Sequence, residues 1–266
     1  MLSKRNLLEF SLLKRNTFNR RQAIQDLISE KEVVTVDELA RTFATSEVTI
    51  RKDLARMEED GLLLRRYGGA SAIPKEVSGT GSVRQFSDSQ QLIVKAAAML
   101  IKDYSRIVID SGNTTAALIP HLQEKQGLIV MTNSLLVANA INDLESEPPA
   151  LLMTGGTWDE HSRSFQGQTA ESVLRSFDFD QLFIGADGID AARGTTTFNE
   201  LLGLSRVMAE ISREVIVMVE SSKFGRRIPN QELPWEMIDV LVTDDGVKPD
   251  LVGQIEAQQV RIILAC

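Results

Sequence analysis

The spacing of apolar residues changes its period once along the chain. Between residues 20 and 60 it is helical, and it predicts three short helices. Ile24, Leu27 and Ile28 form the stripe of the first (20–30), Leu39, Ala40 and Phe43 that of the second, and Ile50, Leu54 and Met57 that of the third. The run Leu62-Leu63-Leu64-Arg65-Arg66-Tyr67-Gly68-Gly69-Ala70 then reads as a short two-stranded wing with a glycine turn. After a helix bearing Leu92, Ile93, Ala96, Ala97 and Leu100, the pattern becomes strand-like, with apolar runs at 107–109, 128–131, 151–153, 182–184, 215–219, 240–242 and 262–264. Helical stretches separate most of them, notably 135–144, 169–177 and 200–211. Continuous rather than alternating apolar runs mean strands buried on both faces, as in a parallel sheet covered by helices. The expected fold is therefore α/β: an N-terminal winged helix-turn-helix followed by a doubly wound, mostly parallel domain.

Polar residues punctuate this pattern at sensible places. Thr35-Val36-Asp37-Glu38 is a capping box that opens the second helix, Ala44-Thr45 makes the turn, Ser46 caps the third helix and Gly61 ends it. From 71 to 90 the composition shifts to Ser, Gly, Gln and Pro, as a linker requires. The expected division is an unassigned leader at 1–19, a winged helix-turn-helix at 20–74, a linker at 75–90 and an α/β domain at 91–266.

Composition narrows the function classes. Cys266 is the single cysteine, which excludes a disulfide framework and a cysteine-based metal site and fits a reducing cytoplasm. No apolar run reaches membrane-spanning length, and Lys4, Arg5, Glu9, Lys14 and Arg15 interrupt the leader too often for a signal peptide. The net charge of −8 argues against nucleic acid until its distribution is considered. Residues 1–75 hold 14 Lys and Arg against 11 Asp and Glu, whereas the remainder holds 15 against 26. A basic head on an acidic body suits a protein in which one module alone touches phosphate.

That module presents suitable chemistry. With Ile50, Leu54 and Met57 turned inward, the third helix shows Val48, Thr49, Lys52 and Arg56 outward, with Arg51 at the margin and Ser46 at its start. Methyl and hydroxyl groups can meet base edges while cations meet guanine or phosphate, and Arg65 and Arg66 in the wing can follow the flanking backbone. A small bundle with a solvated charged face would show similar charges. The tight second helix, short turn, capped third helix and following wing favour double-stranded DNA.

The second domain offers a different chemistry. The strand at 107–109 runs into Asp110-Ser111-Gly112-Asn113-Thr114-Thr115, whose backbone N–H groups and hydroxyls suit a phosphate and equally suit an ordinary capped turn. Other strands end in Thr132-Asn133-Ser134, Thr154-Gly155-Gly156 and Gly185-Ala186-Asp187-Gly188. In an open parallel sheet such ends line one crevice. Lys223 follows another strand and can place a cation there, while Asp110 and Asp187 supply acceptors for sugar hydroxyls and Glu200 either does likewise or merely caps its helix. The rival expectation is a sugar-phosphate isomerase with Asp187 or Glu200 as base. His121 and His161 lie far from these motifs, no metal-ligand cluster is visible, and no cofactor is called for.

Both halves resemble the DeoR family of regulators. The resemblance rests on Val36-Asp37-Glu38-Leu39-Ala40, Ser46-Glu47-Val48-Thr49-Ile50-Arg51-Lys52-Asp53-Leu54 and Arg66-Tyr67-Gly68-Gly69-Ala70. In the second half it rests on residues 110–115 and 132–134, Gly185-Ala186-Asp187-Gly188-Ile189, Thr196-Thr197-Phe198-Asn199-Glu200 and Ser221-Ser222-Lys223-Phe224-Gly225. It implies an oligomeric repressor, a homodimer or homotetramer, that answers to a phosphorylated sugar or polyol and has a sensor similar in fold to ribose-5-phosphate isomerase. Ser164-Phe165-Gln166-Gly167-Gln168 and residues 221–230 look most like regulators of hexitol or related carbohydrate operons. The related isomerases keep a lysine soon after Gly-Ala-Asp. None lies here between Asp187 and Arg206, which favours sensing over turnover.

Overall fold

The structure is a computed structural model, describing residues 17–31, 33–59, 63–66, 69–71, 86–145, 147–160, 162–198, 202–226 and 228–266. The chain divides into two compact units, Met1–Ser82 and Val83–Cys266.

In the first unit, α1 (Thr17–Lys31), α2 (Val36–Thr42) and α3 (Glu47–Glu59) stand beside a three-stranded sheet of β1 (Val33–Thr35), β2 (Leu64–Arg66) and β3 (Gly69–Ser71) in the order β1-β3-β2. Ile24, Ile28, Leu39, Phe43, Ile50, Leu54 and Met57 make its core together with Val34, Leu63 and Ala70. Two expectations change. The first helix begins at Thr17, inside the expected leader, and the wing gains a third strand, β1, too short to leave a periodic signal. Gly69 has a steric reason: a Cβ there would lie 2.2 Å from the Val34 carbonyl oxygen of the paired strand. Thr35 Oγ1 accepts from Glu38 N at 3.1 Å to start α2, and Ala44 takes φ 46° to end it.

The second unit opens with α4 (Asp88–Ala98). Ser87 and Gln90 form a reciprocal capping box that starts this helix within the expected linker, because capping residues and linker residues share a polar composition. Leu92 is exposed, and Ile93, Val94, Ala96, Ala97 and Ala98 make the buried stripe instead.

All seven apolar runs enter one sheet. These strands are β4 (Arg106–Ile109), β5 (Ile129–Thr132), β6 (Ala150–Met153), β9 (Phe179–Ile184), β12 (Ser212–Met218), β14 (Val240–Asp244) and β15 (Arg261–Ala265). Their order is β15-β14-β12-β9-β4-β5-β6, and every pairing is parallel. Side chains alternate between two cores. Ile107, Ile109, Phe183, Ile216 and Met218 face one, with α4 and α6 (Leu135–Asn142). Val108, Leu182, Ile184, Val215 and Val217 face the other, with α7 (Gln168–Leu174), α8 (Gly203–Glu210) and α9 (Pro249–Glu256). Two small antiparallel pieces were not expected: the hairpin of β7 (Thr157–Asp159) with β8 (Ser164–Gln166), and the sheet of β10 (Gly188–Asp190), β11 (Gly194–Thr197) and β13 (Asn230–Gln231).

One buried ion pair fixes α3 against α1. Asp53 is 2% exposed, and its carboxylate accepts from Arg20 Nε at 2.6 Å and from Arg21 Nε at 3.2 Å. Removing one member of such a pair leaves an uncompensated buried charge. Asp53→Ala is therefore expected to destabilise the first unit by about 3–5 kcal/mol. Asp37→Ala, which breaks only the exposed pair with Arg41, should cost about 1 kcal/mol or less. Hydrogen exchange of α1 and α3 amides in the full chain measures the difference.

Candidate functional site

The outer surface of α3 is built from the residues its inner face leaves over. Val48 is 64% exposed, Arg51, Lys52 and Arg56 are exposed, and Thr49 is half-buried. Ser46 Oγ accepts from Thr49 N at 3.2 Å and sits 2.9 Å from Thr49 Oγ1, so it caps the helix and shares a hydrogen bond with the outward hydroxyl. Arg51 Nη2 donates to Glu47 at 2.8 Å. Arg65 and Arg66 stand on β2 opposite Ala70 and Gly69. Their side chains, like the Tyr67-Gly68 turn, lie outside the described residues.

In the second unit a parallel sheet puts every strand's carboxyl end on one edge. The chain order reverses between β4 and β9, and the loops after these two strands flank that switch point, where α/β sheets hold ligands. Asp110 ties the two loops together. One carboxylate oxygen accepts from Gly185 N at 2.9 Å across the switch, and the other accepts from Gly112 N at 2.8 Å and from the Thr115 hydroxyl. A short helix, α5 (Asn113–Ala116), begins here with Gly112 as its N-cap. Ser111, Gly112 and Asn113 are half-buried, and Thr114 is 7% exposed.

Next to this turn, Asp187 accepts from Thr197 Oγ1 at 2.7 Å and from Phe198 N at 3.2 Å. Lys223 is 7% exposed, and its Nζ donates to the Ala186 carbonyl at 3.1 Å. The sheet edge thus combines a hydroxyl-bearing turn, a buried lysine and carboxylates.

The sequence comparisons agree on what this pairing of units is. The model of the DeoR-like helix-turn-helix domain matches residues 20–76, and that of the DeoR C-terminal sensor domain matches residues 85–245. The chain belongs to the DeoR family. It is 37% identical over 254 residues to the putative aga operon transcriptional repressor of Escherichia coli O157:H7, covering 93% of this chain and 94% of that one. It is 27% identical over 249 residues to the transcriptional regulator IolR of Bacillus subtilis, covering 92% and 98%. Among solved structures it is similar to ribose 5-phosphate isomerase A of Methanocaldococcus jannaschii, with a TM-score of 0.38, 19% identity and coverage of 51% and 53%. This DeoR-family chain is a DNA-binding transcription regulator with a sensor domain.

Within the DeoR sensor domain, several expected residues turn inward. Thr115 is fully buried, and its hydroxyl bonds Asp110 and the Gly112 carbonyl, so it shapes the turn rather than facing its mouth. Asn133 is 2% exposed with Nδ2 on the Phe165 carbonyl, and among the described residues its Oδ1 has no partner. Gly156, at φ 116°, has steric grounds: a Cβ would meet the Gln166 carbonyl oxygen at 2.6 Å. Gly155 has open space around it, whereas Gly188 packs against Thr196 and Ile228. Glu200 and His161 lie outside the described residues.

Glu232 was not among the expected residues, because it follows β13 in irregular chain with no motif around it. Its Oε1 accepts from Ser205 Oγ at 2.7 Å. Burial pushes its carboxyl up to about 8, against the Ser205 hydrogen bond, and the charges of Asp187 and Asp110 push the same way. Burial also raises Asp110 above the usual carboxylate range, against the three hydrogen bonds it accepts. These mutual effects place three carboxyl groups within one electrostatic neighbourhood.

The sign follows from linkage. With the folded value above the unfolded one, Glu232 holds its proton more tightly in the folded chain, and stability falls as pH rises from about 4.5 through about 8. Glu232→Gln is expected to melt at or below the wild-type temperature at pH 5 and a few degrees above it at pH 9, as read by circular dichroism. Equal pH profiles for the two chains would show that the burial does not govern this carboxyl.

Proposed function

We propose that this regulator represses a carbohydrate-utilisation operon in the cytoplasm and releases it when a phosphorylated sugar or polyol enters the crevice at the sheet edge. Residues 20–74 read DNA, residues 91–266 sense the ligand, and residues 75–90 join them. A dimer or a pair of dimers sets two α3 helices in successive major grooves of inverted half-sites. Thr49 and Lys52 address base edges, with Val48 offering methyl groups. Arg51, Arg56, Arg65 and Arg66 address phosphate.

The observation that carries the ligand reading is the two-ended chemistry of one sheet edge. Ser111 and Thr114 in the turn offer hydroxyls and Lys223 a cation, which suit a phosphate. Asp187 and Glu232 offer polar carboxyl groups, which suit the hydroxyls at the other end of the same small molecule. The names of the relatives, an aga operon repressor among them, support repression of a carbohydrate operon. Only differential affinity for two quaternary arrangements lets the ligand move DNA binding. Sensing without turnover is part of the proposal, and ligand-specific isomerisation by the purified chain, lost in Asp187→Asn, would overturn it.

Titration of the chain onto DNA from upstream of its own gene, with and without a panel of sugar and polyol phosphates and their unphosphorylated parents, tests the reading. Specific binding weakened by one phosphate is the expected result. Specific binding indifferent to the whole panel would remove the phosphate crevice, and absence of specific binding would remove the regulator.

Two substitutions refine the test. Arg56→Ala should weaken binding to all sequences and lower the salt slope by about 1, whereas Thr49→Ala should relax preference at one position. Lys223→Ala should cost phosphorylated ligands roughly 10-fold or more in affinity and leave the parents near their wild-type values. Equal loss for both classes would defeat the assignment of Lys223.

A further inference from the structure

The start of α3 carries an acid on a surface that otherwise suits an anion. From Ser46 to Lys52 the sequence has a single acidic residue, Glu47, set between the Ser46 cap and the outward Val48. Its side chain is 51% exposed, and its carboxylate accepts from Arg51 Nη2 at 2.8 Å, one turn along the helix. The Arg51 side chain is 59% exposed. An exposed pair at this spacing adds little to stability, and an acid at a helix start gains modestly from the dipole. Neither effect calls for a carboxylate beside Val48. On a surface that meets phosphates, a carboxylate is repelled unless a hydrogen-bond donor receives it.

The donors in reach of a recognition helix are the base edges, which its N-terminal residues approach most closely. An ionised carboxylate accepts hydrogen bonds and donates none. In the major groove guanine presents two acceptors, and thymine presents an acceptor and a methyl group. Adenine sets its amino donor next to the N7 acceptor. Cytosine alone shows an amino donor with no acceptor beside it.

We infer that Glu47 reads a cytosine: its carboxylate accepts from the 4-amino group of that base in each half-site, and Arg51 holds the carboxylate in place. This contact goes beyond the function proposed above, resting on it only for the placement of α3 in the major groove. A guanidinium has five N–H donors, so the bond from Arg51 to Glu47 leaves others for the phosphate assigned to it. Guanine or thymine at the same position sets an acceptor against the carboxylate, so Glu47 rejects those bases as well as selecting cytosine. Its contribution is to discrimination, since its charge opposes binding to DNA of any sequence.

Sequencing of duplexes that the full chain selects from a random pool, without ligand, gives the test. The wild-type chain is expected to select cytosine at one position of each half-site. Glu47→Ala should lose that preference, worth roughly 10-fold against other bases, and should bind non-specific DNA more tightly. Glu47→Gln should move the preference to adenine, because a primary amide pairs with N6 and N7 together. Arg51→Ala should weaken the cytosine preference of the wild-type chain and leave the base preferences of Glu47→Ala unchanged. A role in helix capping alone would move none of these preferences. Variants that are folded by circular dichroism and select the wild-type sequences would overturn the inference.

The base supplies a second measurement. Cytosine in the selected duplex is replaced by 2-pyrimidinone, which keeps the ring and lacks the 4-amino group. The wild-type chain should lose roughly 10-fold in affinity and the Glu47→Ala chain almost none. Equal losses by the two chains would also overturn the inference. A wild-type chain that selects no sequence at all would overturn it together with the placement of α3, whereas selection indifferent to Glu47 overturns it alone.

Discussion

Parallel pairing is the constraint on which the sensor domain depends. A strand cannot turn back beside its parallel neighbour through a tight loop, so each must be followed by a crossover that covers one face of the sheet. Seven strands bonded this way deliver all their carboxyl ends to one edge, and the reversal of chain order between β4 and β9 opens a gap there. Asp110 stands at that gap, holding the loop after β4 to the loop after β9 through Gly185. Its carboxylate acts as a strut, and Asp187 after β9 and Asp244 at the end of β14 repeat the pattern by holding Thr197 and Ser221.

This reuse of one residue type shapes the electrostatics of the edge. Asp110 and Asp187 both raise the cost of ionising Glu232, on top of its burial, and Asp187 does the same to Asp110. Lys223 brings a cation close to this acidic edge. On the function proposed above, the same few groups would both shape the crevice and suit it to a ligand with an anionic end and a hydroxylated end.

Legibility in the sequence followed burial. The seven core strands were readable because residues such as Ile107–Ile109 and Val240–Val242 are apolar on both faces, and no other element imposes that pattern. The inner stripe of α3 was equally clear. What escaped was stabilised by something other than an apolar period. β10 and β11 are built largely of Gly and Thr, β1 has three residues, and α4 starts from a capping box that looks like linker. The β7–β8 hairpin escaped because its buried side chains, Ser164 and Gln166, are polar. At the sheet edge, the strand-end motifs fall on the loops that follow the strands, but they carried no signal for the direction of each side chain. Thr115 and Asn133 turn inward, and Glu232 enters from a segment without a motif.

The Asp53 pair in the first unit has a different kind of consequence. It anchors α3 from its inner side, through Arg20 and Arg21, and shares no residue with the outer surface made by Val48, Thr49, Lys52 and Arg56. If the outer residues read DNA as proposed, holding and reading are separate tasks on one helix. Such a helix could then be retargeted, because exchanging its outer side chains would change the text it reads and leave the Asp53 anchor in place. New specificities for a chain like this one would lie a few surface codons away and need no redesign of the scaffold beneath.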